Sequence, residues 1–460
     1  MNLVYKINDK PKFPQLLIFA FQQVLAILAA TIAVPTIIGN GMSQSAALFG
    51  AGVGTLVYQL FTRFKSPVYL GSSFAFLGSM GAAFAGAASV SAGHVGLIVG
   101  AVLAGLVYVV IAIVVKLVGV NWINRLMPPA VIGPTVAIIG LSLAVNAVSD
   151  LSKGKVMVEN VVQTIVDGQI VDQVQLVSGC SPYVALICGL ITLASIIIFS
   201  VYGKKMMRLI PFILGILVGY VAASIFTVIG ITTNNVALQI IDFSVFKDLS
   251  FFAVPDFTFM HLSEGIKGIT PAFIATVAVA YVPVAFVVFA EHIADHKNLS
   301  TVIDQDLLTE PGLHRTLLGD GVGSMAGAFF GGCPNTTYGE SVGCVAITRN
   351  ASVVTITTAA IMCIVISFFG PFVTFLASIP NCVMGGVCIA LYGFIAVSGL
   401  KMVQKVDLNL SKNLFVVSVI LITGIGGLTV SFGNVTLTSI ACALILGILT
   451  NVLVSRAPQE

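Results

Sequence analysis

Pro334-Asn335-Thr336-Thr337-Tyr338-Gly339-Glu340-Ser341 breaks an apolar stretch with small and polar residues and does not suit a continuous helix. A comparable break, Tyr69-Leu70-Gly71-Ser72-Ser73-Phe74-Ala75-Phe76, stands earlier in otherwise apolar sequence. Each reads as a short extended segment that runs into a half-helix. Extended backbone at membrane depth is tolerated only where protein or a cavity shields it. Interrupted spans at corresponding positions of two halves point to a transporter site. The plainer alternative is a pair of flexible helix kinks.

The surrounding composition puts these breaks inside a membrane. Of 460 residues 58% are hydrophobic and 8% charged, against roughly 25% charged in a soluble domain; mean hydropathy is +1.07. Apolar runs long enough to cross a bilayer recur along the chain, so lipid is the expected solvent for most of it. The first run begins near Phe13 and reads as a retained span, not a cleaved leader. The eight cysteines lie almost all in apolar runs and read as small core residues. No separate soluble domain is expected.

Fourteen spans are predicted, near 14–38, 44–62, 68–88, 94–116, 128–148, 182–202, 209–230, 270–293, 317–332, 335–347, 352–376, 381–400, 412–431 and 435–454. With both termini in the cytoplasm, Lys153, Lys155, Lys247 and Lys267 fall outside and the other 17 of 21 Lys and Arg residues fall inside, the bias expected of a multi-pass inner-membrane protein. Of the outside loops, residues 149–181 read as a hairpin, with Ile165-Val166 and Ile170-Val171 flanking a turn at Asp167-Gly168.

Met127-Pro128-Pro129-Ala130-Val131-Ile132-Gly133 and Ile379-Pro380-Asn381-Cys382-Val383-Met384-Gly385 share proline, valine and glycine at a constant offset of 252 residues. Each opens a span, the fifth and the twelfth. An offset of seven spans would make the two halves inverted repeats; the plainer alternative is chance, since Pro and Gly are common at span starts. The two interrupted spans, third and tenth, have the same seven-span offset.

Most of the eighteen acids read as lying in loops or at span ends. Glu291 ends a long apolar run, Glu340 sits in the interrupted tenth span, and Asp295 is one turn beyond Glu291 on the same helix face. A charge at bilayer depth costs at least ~2.5–3.5 kcal/mol, so such residues are usually functional; the structural alternative is a neutral or paired carboxyl that holds helices together. A buried carboxyl holds a proton more readily than an exposed one. Two such groups fit a planar ligand with alternating N–H and C=O groups. Carboxyl oxygens accept its N–H hydrogens, free backbone amides donate to its carbonyls, and Phe74 and Tyr338 cover the ring. His292 and His296 have helical metal-ligand spacing, but the His-Glu-x-x-His order is absent and no third ligand is evident; they read as a span-end polar cluster. No phosphate-binding loop and no nucleophile–base motif is present.

These stretches, together with Ala290-Glu291-His292, Asp306-Leu307-Leu308 and Pro311-Gly312-Leu313-His314-Arg315, resemble the nucleobase–ascorbate transporter (nucleobase–cation symporter-2) family nearly end to end. Pro334 to Glu340 looks like its bacterial uracil branch. The resemblance implies an all-α polytopic fold of fourteen spans in two inverted halves, with short antiparallel strands in spans 3 and 10. It implies a core domain, residues 1–120 and 265–378, and a gate domain, residues 121–264 and 379–460. It implies uracil import by proton symport, with no cofactor, metal or nucleic acid, and a homodimer formed through the gate domain. Glu291 would be the main substrate carboxylate and Glu340 the second, linked with Asp295 to proton coupling. Phe74 and Gly339 would donate backbone amides, Tyr338 would pack on the ligand, and Ala30 and Tyr392 would line the pocket more loosely. Two departures stand out: the first span reads Gln22-Gln23 where the family often has Gln-His, and Asp295 stands where the uracil branch has histidine. The nearest rival is a purine or xanthine permease of the same family. An anion exchanger of like architecture is disfavoured by two site carboxylates, and a membrane-embedded hydrolase using Glu291 and His292 lacks a nucleophile.

Overall fold

The computed structural model describes residues 3–119, 121–166, 169–204, 206–247, 249–432 and 435–455. The expected turn at Asp167-Gly168 and the expected cytoplasmic residues Lys205 and Arg456 lie outside the described residues.

The chain is mostly helical. Among the described residues, seven helices are long and apolar enough to cross a membrane: Phe13–Ile38, Val90–Val118, Pro129–Asp150, Pro182–Tyr202, Pro211–Thr232, Pro271–Ile303 and Asn381–Val403. Several start on proline at the first helical positions, as Pro14, Pro129, Pro182, Pro211 and Pro271 do, where a missing N–H leaves no bond unmade. Others are capped by hydroxyls: Ser43 accepts from Ala46 N at 3.2 Å, Ser89 from Ala92 N at 3.1 Å, and Thr270 from Phe273 N at 3.1 Å.

Shorter helices fill the remaining expected positions, with two departures. The span expected at 352–376 is two helices, Val353–Ile366 and Gly370–Ser378. The span expected at 412–431 ends at Ile425, after which Val430–Phe432 pairs antiparallel with Val435–Leu437 before helix Ser439–Val454 begins. Gly427 adopts the left-handed conformation, φ +72°, that ends helices, and the β-branched residues beyond it suit a strand.

The residues pack as two units. The second, Ala144–Phe251 with Gly370–Leu391, holds the expected hairpin: Met157–Val166 pairs antiparallel with Gln169–Ser178, Val166 opposite Gln169. In it Gly215 and Gly219 of helix Pro211–Thr232 lie against Thr192 and Ile196 of helix Pro182–Tyr202.

The first unit comprises Met1–Leu143, Phe252–Phe369 and Tyr392–Glu460. Helices Gln44–Phe61 and Leu313–Gly331 touch through glycine: a side chain on Gly54 would come within 2.7 Å of the Gly323 carbonyl, and one on Gly50 would strike the Gly327 backbone. Small residues let membrane helices approach this closely. Beside them lies the two-stranded ribbon that the interrupted spans predict. Leu70–Ser72 pairs antiparallel with Asn335–Thr337, in the register Leu70↔Thr337, Gly71↔Thr336 and Ser72↔Asn335. Ser73 N donates to Pro334 O at 2.9 Å and Tyr338 N to Tyr69 O at 3.2 Å, extending the ladder at both ends. The ribbon's outer groups also find partners: Leu70 N donates to Thr55 Oγ1 at 3.0 Å, and the Tyr338 hydroxyl donates to Ser72 O at 2.7 Å. Short strands are tolerated at this depth because side chains and neighbouring helices satisfy their backbone.

Candidate functional site

Each strand runs straight into a short helix: Leu70–Ser72 into the turn Phe74–Phe76 and helix Leu77–Ala85, and Asn335–Thr337 into helix Gly339–Thr348. The first N–H groups of a helix have no intrahelical acceptor, and the aligned peptides place partial positive charge there. The ribbon therefore brings two such helix starts to one place. The long helix Pro271–Ile303 runs past them, tied to the first half-helix by the Ser79 hydroxyl, which donates to Ala280 O at 2.7 Å.

A cavity opens where these three elements meet. Its walls are Ser73, Phe74 and Ala75; Thr336, Thr337, Tyr338, Gly339 and Glu340; Glu291; and the apolar Val136, Ile139 and Ile395. Five of the expected site residues thus share one space: Phe74, Glu291, Tyr338, Gly339 and Glu340. Glu291 and Glu340 are half-buried; among the described residues the Glu291 carboxyl has no hydrogen-bond partner and the Glu340 carboxyl meets only its own backbone N–H. Apolar Phe74, Ala75, Val136, Ile139 and Ile395 share the lining with the polar Ser73, Thr336, Thr337 and Tyr338 and the two carboxyls.

The other expected residues stand at the margin. Asp295 does not line the cavity; its Oδ2 accepts from the Thr337 hydroxyl at 2.8 Å, and its Oδ1 would lie 3.9 Å from a side chain on Gly339. Tyr392 is buried and meets the Phe74 ring edge-on, centroids 6.0 Å apart. Ala30 is buried within helix Phe13–Ile38. The Tyr338 ring lies over Gly71, in the space a side chain there would fill. Gln23, at the departure in the first span, donates to the Ser341 hydroxyl next to Glu340, and Tyr69 N donates to that same oxygen at 3.3 Å. An amide thus ties the first span to the second half-helix.

A second polar group lies behind the cavity. Asp320, not singled out in the sequence, is 1% exposed inside helix Leu313–Gly331. His292 Nδ1 lies 2.7 Å from Asp320 Oδ2, and His292 Nε2 lies 2.9 Å from Thr316 Oγ1. His296, whose ring stacks on His292 with centroids 4.0 Å apart, bonds the Tyr58 hydroxyl at 2.7 Å through Nε2 and His292 O at 2.8 Å through Nδ1. Both histidines are buried partners of neighbouring helices, not a span-end cluster. An acid within the apolar run near 317–332 was the sequence signal for this group.

The profile of a family described as "Permease family" matches residues 14–433. A protein named uracil permease from Bacillus caldolyticus is 36% identical over 99% of this chain and 96% of its own length. Uracil permease from Bacillus subtilis (strain 168) is 36% identical over 96% and 93%, and that from Escherichia coli (strain K12) 33% identical over 96% and 92%. Among solved structures, the transmembrane domain of a cyanobacterium bicarbonate transporter, BicA, superposes with a TM-score of 0.60 at 16% identity, covering 97% of this chain and 100% of that one. That likeness is one of fold.

Proposed function

The chain belongs to the permease family, a family of multi-pass membrane transporters and not of enzymes, and from that membership we propose that it imports uracil by proton symport. The observation that carries this reading is the pair of carboxyls, Glu291 and Glu340, that share one cavity with the starts of two half-helices. Uracil is a flat ring in which N–H donors alternate with carbonyl acceptors. Glu291 accepts from the ring N–H groups, the backbone amides of Phe74 and Gly339 donate to its carbonyls, and Tyr338 packs on its face. Ala30 and Tyr392 shape the pocket from farther out. An uncharged ligand with exposed N–H groups suits carboxylates; an anion does not.

Proton coupling belongs to Glu340, with Asp295 and Glu291. Neutralising a carboxyl lowers the cost of moving it relative to apolar surroundings. Substrate and proton bind from outside between a core domain, residues 1–120 and 265–378, and a gate domain, residues 121–264 and 379–460, and the core then moves to open the site inward. The arrangement proposed is fourteen crossings of the cell membrane in two inverted halves, both termini cytoplasmic, as a homodimer through the gate domain.

The test is radiolabelled uracil uptake in cells lacking their own permease, at two external pH values and with a protonophore. Uptake that rises at acid pH and collapses with protonophore is expected. No uptake above empty vector, with the protein present in the membrane, discards uracil; competition by xanthine then identifies the purine rival.

A further inference from the structure

The three contacts around His292 fix how many protons it and Asp320 carry between them. The Leu313 carbonyl only accepts, so the single Thr316 hydroxyl hydrogen goes to it, at 3.0 Å. The contact between Thr316 Oγ1 and His292 Nε2, 2.9 Å, is then a bond only if Nε2 carries its own hydrogen. The contact between His292 Nδ1 and Asp320 Oδ2, 2.7 Å, needs one hydrogen more, on Nδ1 or on the carboxyl. All three together describe a pair that holds one proton between His292 Nδ1 and Asp320 Oδ2 and has no net charge, whichever of the two atoms carries it. With that extra proton removed, Thr316 has to leave Leu313 and turn to His292, and a fully buried group is left with a net negative charge, which is costly in dry surroundings.

The pair also has an opening. Asp320 Oδ1 and the Tyr108 hydroxyl lack protein partners among the described residues, and both border a void with room for about one water. Thr336 borders this void and the Glu291–Glu340 cavity alike. The titratable groups around the pair are Glu291 and Asp295 on its own helix, Tyr108 on helix Val90–Val118, Tyr58 with His296, and Glu340 across the cavity. No Lys or Arg is among them.

We infer that His292 and Asp320 form a second proton-holding site, loaded from the transport cavity through the Thr336 side and set beside the substrate instead of against it. Loading adds one proton to the pair; unloading removes it, and no other bond forms or breaks. The site deepens the proton-symport reading and rests on it. It makes Thr316 the sensor, since its hydroxyl turns between Leu313 and His292 with each proton.

The experiment uses the purified full chain in liposomes, with two readouts: exchange of radiolabelled uracil without a pH gradient, and proton movement per uracil from a pH-sensitive dye. H292Q and D320N are expected to exchange uracil while gradient-driven accumulation falls at least about tenfold, within the usual range of coupling free energies. T316V, which keeps both members of the pair, is expected to exchange uracil with its pH profile displaced. Unchanged proton movement per uracil in H292Q and D320N overturns the site. So does loss of exchange in those two variants with an unmoved pH profile in T316V, because the pair is then only structural. Failure of the transport reading shows separately, as absence of uracil exchange by the wild-type protein. E340Q, measured alongside, reports on the cavity carboxyl alone.

Discussion

The Tyr338 hydroxyl donates to the Ser72 carbonyl at 2.7 Å, while its ring covers Gly71 on the same strand. The residue that leads into one half-helix is thereby fastened to the backbone that leads into the other. The spacing of the two helix starts is held by this side chain together with the backbone ladder of the ribbon.

Gly71→Ala is therefore expected to weaken uracil binding more than it weakens the protein. The added methyl occupies the ring's space, and forced overpacking of this kind costs about 1–3 kcal/mol. Equilibrium binding to protein in detergent, alongside a thermal-unfolding scan, separates the two effects. Wild-type affinity in Gly71→Ala would show that the ring moves freely.

Glu291→Ala is expected to abolish measurable uracil binding. Hydrogen bonds to a charged group contribute about 1.5–3 kcal/mol each, so losing them costs roughly tenfold to a hundredfold or more in affinity. A dissociation constant within a few-fold of wild type would remove Glu291 from the substrate contacts.

Glu340→Gln is expected to flatten the pH dependence of uptake. A proton taken from outside makes uptake rise as external pH falls; a glutamine cannot take that proton, so the rise is lost while binding persists. Initial rates across external pH of about 5.5 to about 8, a window around the neutral operating range of a catalytic or coupling acid, give the answer. An unchanged slope would sink the coupling role.

Gly323→Leu tests the helix contact on its own. A side chain there strikes the Gly54 carbonyl and Leu70, so the variant is expected to lose stability by a few kcal/mol or to fail to accumulate. Fluorescence-detected size-exclusion after heating measures it, and an undisturbed melting curve would mean that the helices separate without cost.

Much of this architecture is legible without coordinates, and for identifiable reasons. Apolar runs mark helices because lipid leaves the backbone no other way to bond. The breaks at Tyr69–Phe76 and Pro334–Ser341 mark the ribbon because Gly, Ser and Thr replace the apolar side chains a spanning helix needs. Glu291 announces itself by following an unbroken apolar run. What stays hidden depends on pairing in space. Asp320 and His292 sit on different helices, 28 residues apart, and nothing local joins them. The strand pair at Val430–Leu437 falls between two apolar runs, and its own signal, Ser431, Gly433-Asn434 and Thr436, is short enough to pass for the gap between two spans.

The ribbon also dictates an order of manufacture. Leu70–Ser72 enters the membrane early in synthesis, but its partner strand does not exist until residue 337 has been made. Through all the intervening elongation the first half carries an unmatched edge, and no binding site exists in any form. The site waits for the second half of the chain, so a chain truncated anywhere before Asn335 is not a weak carrier but an unfinished one.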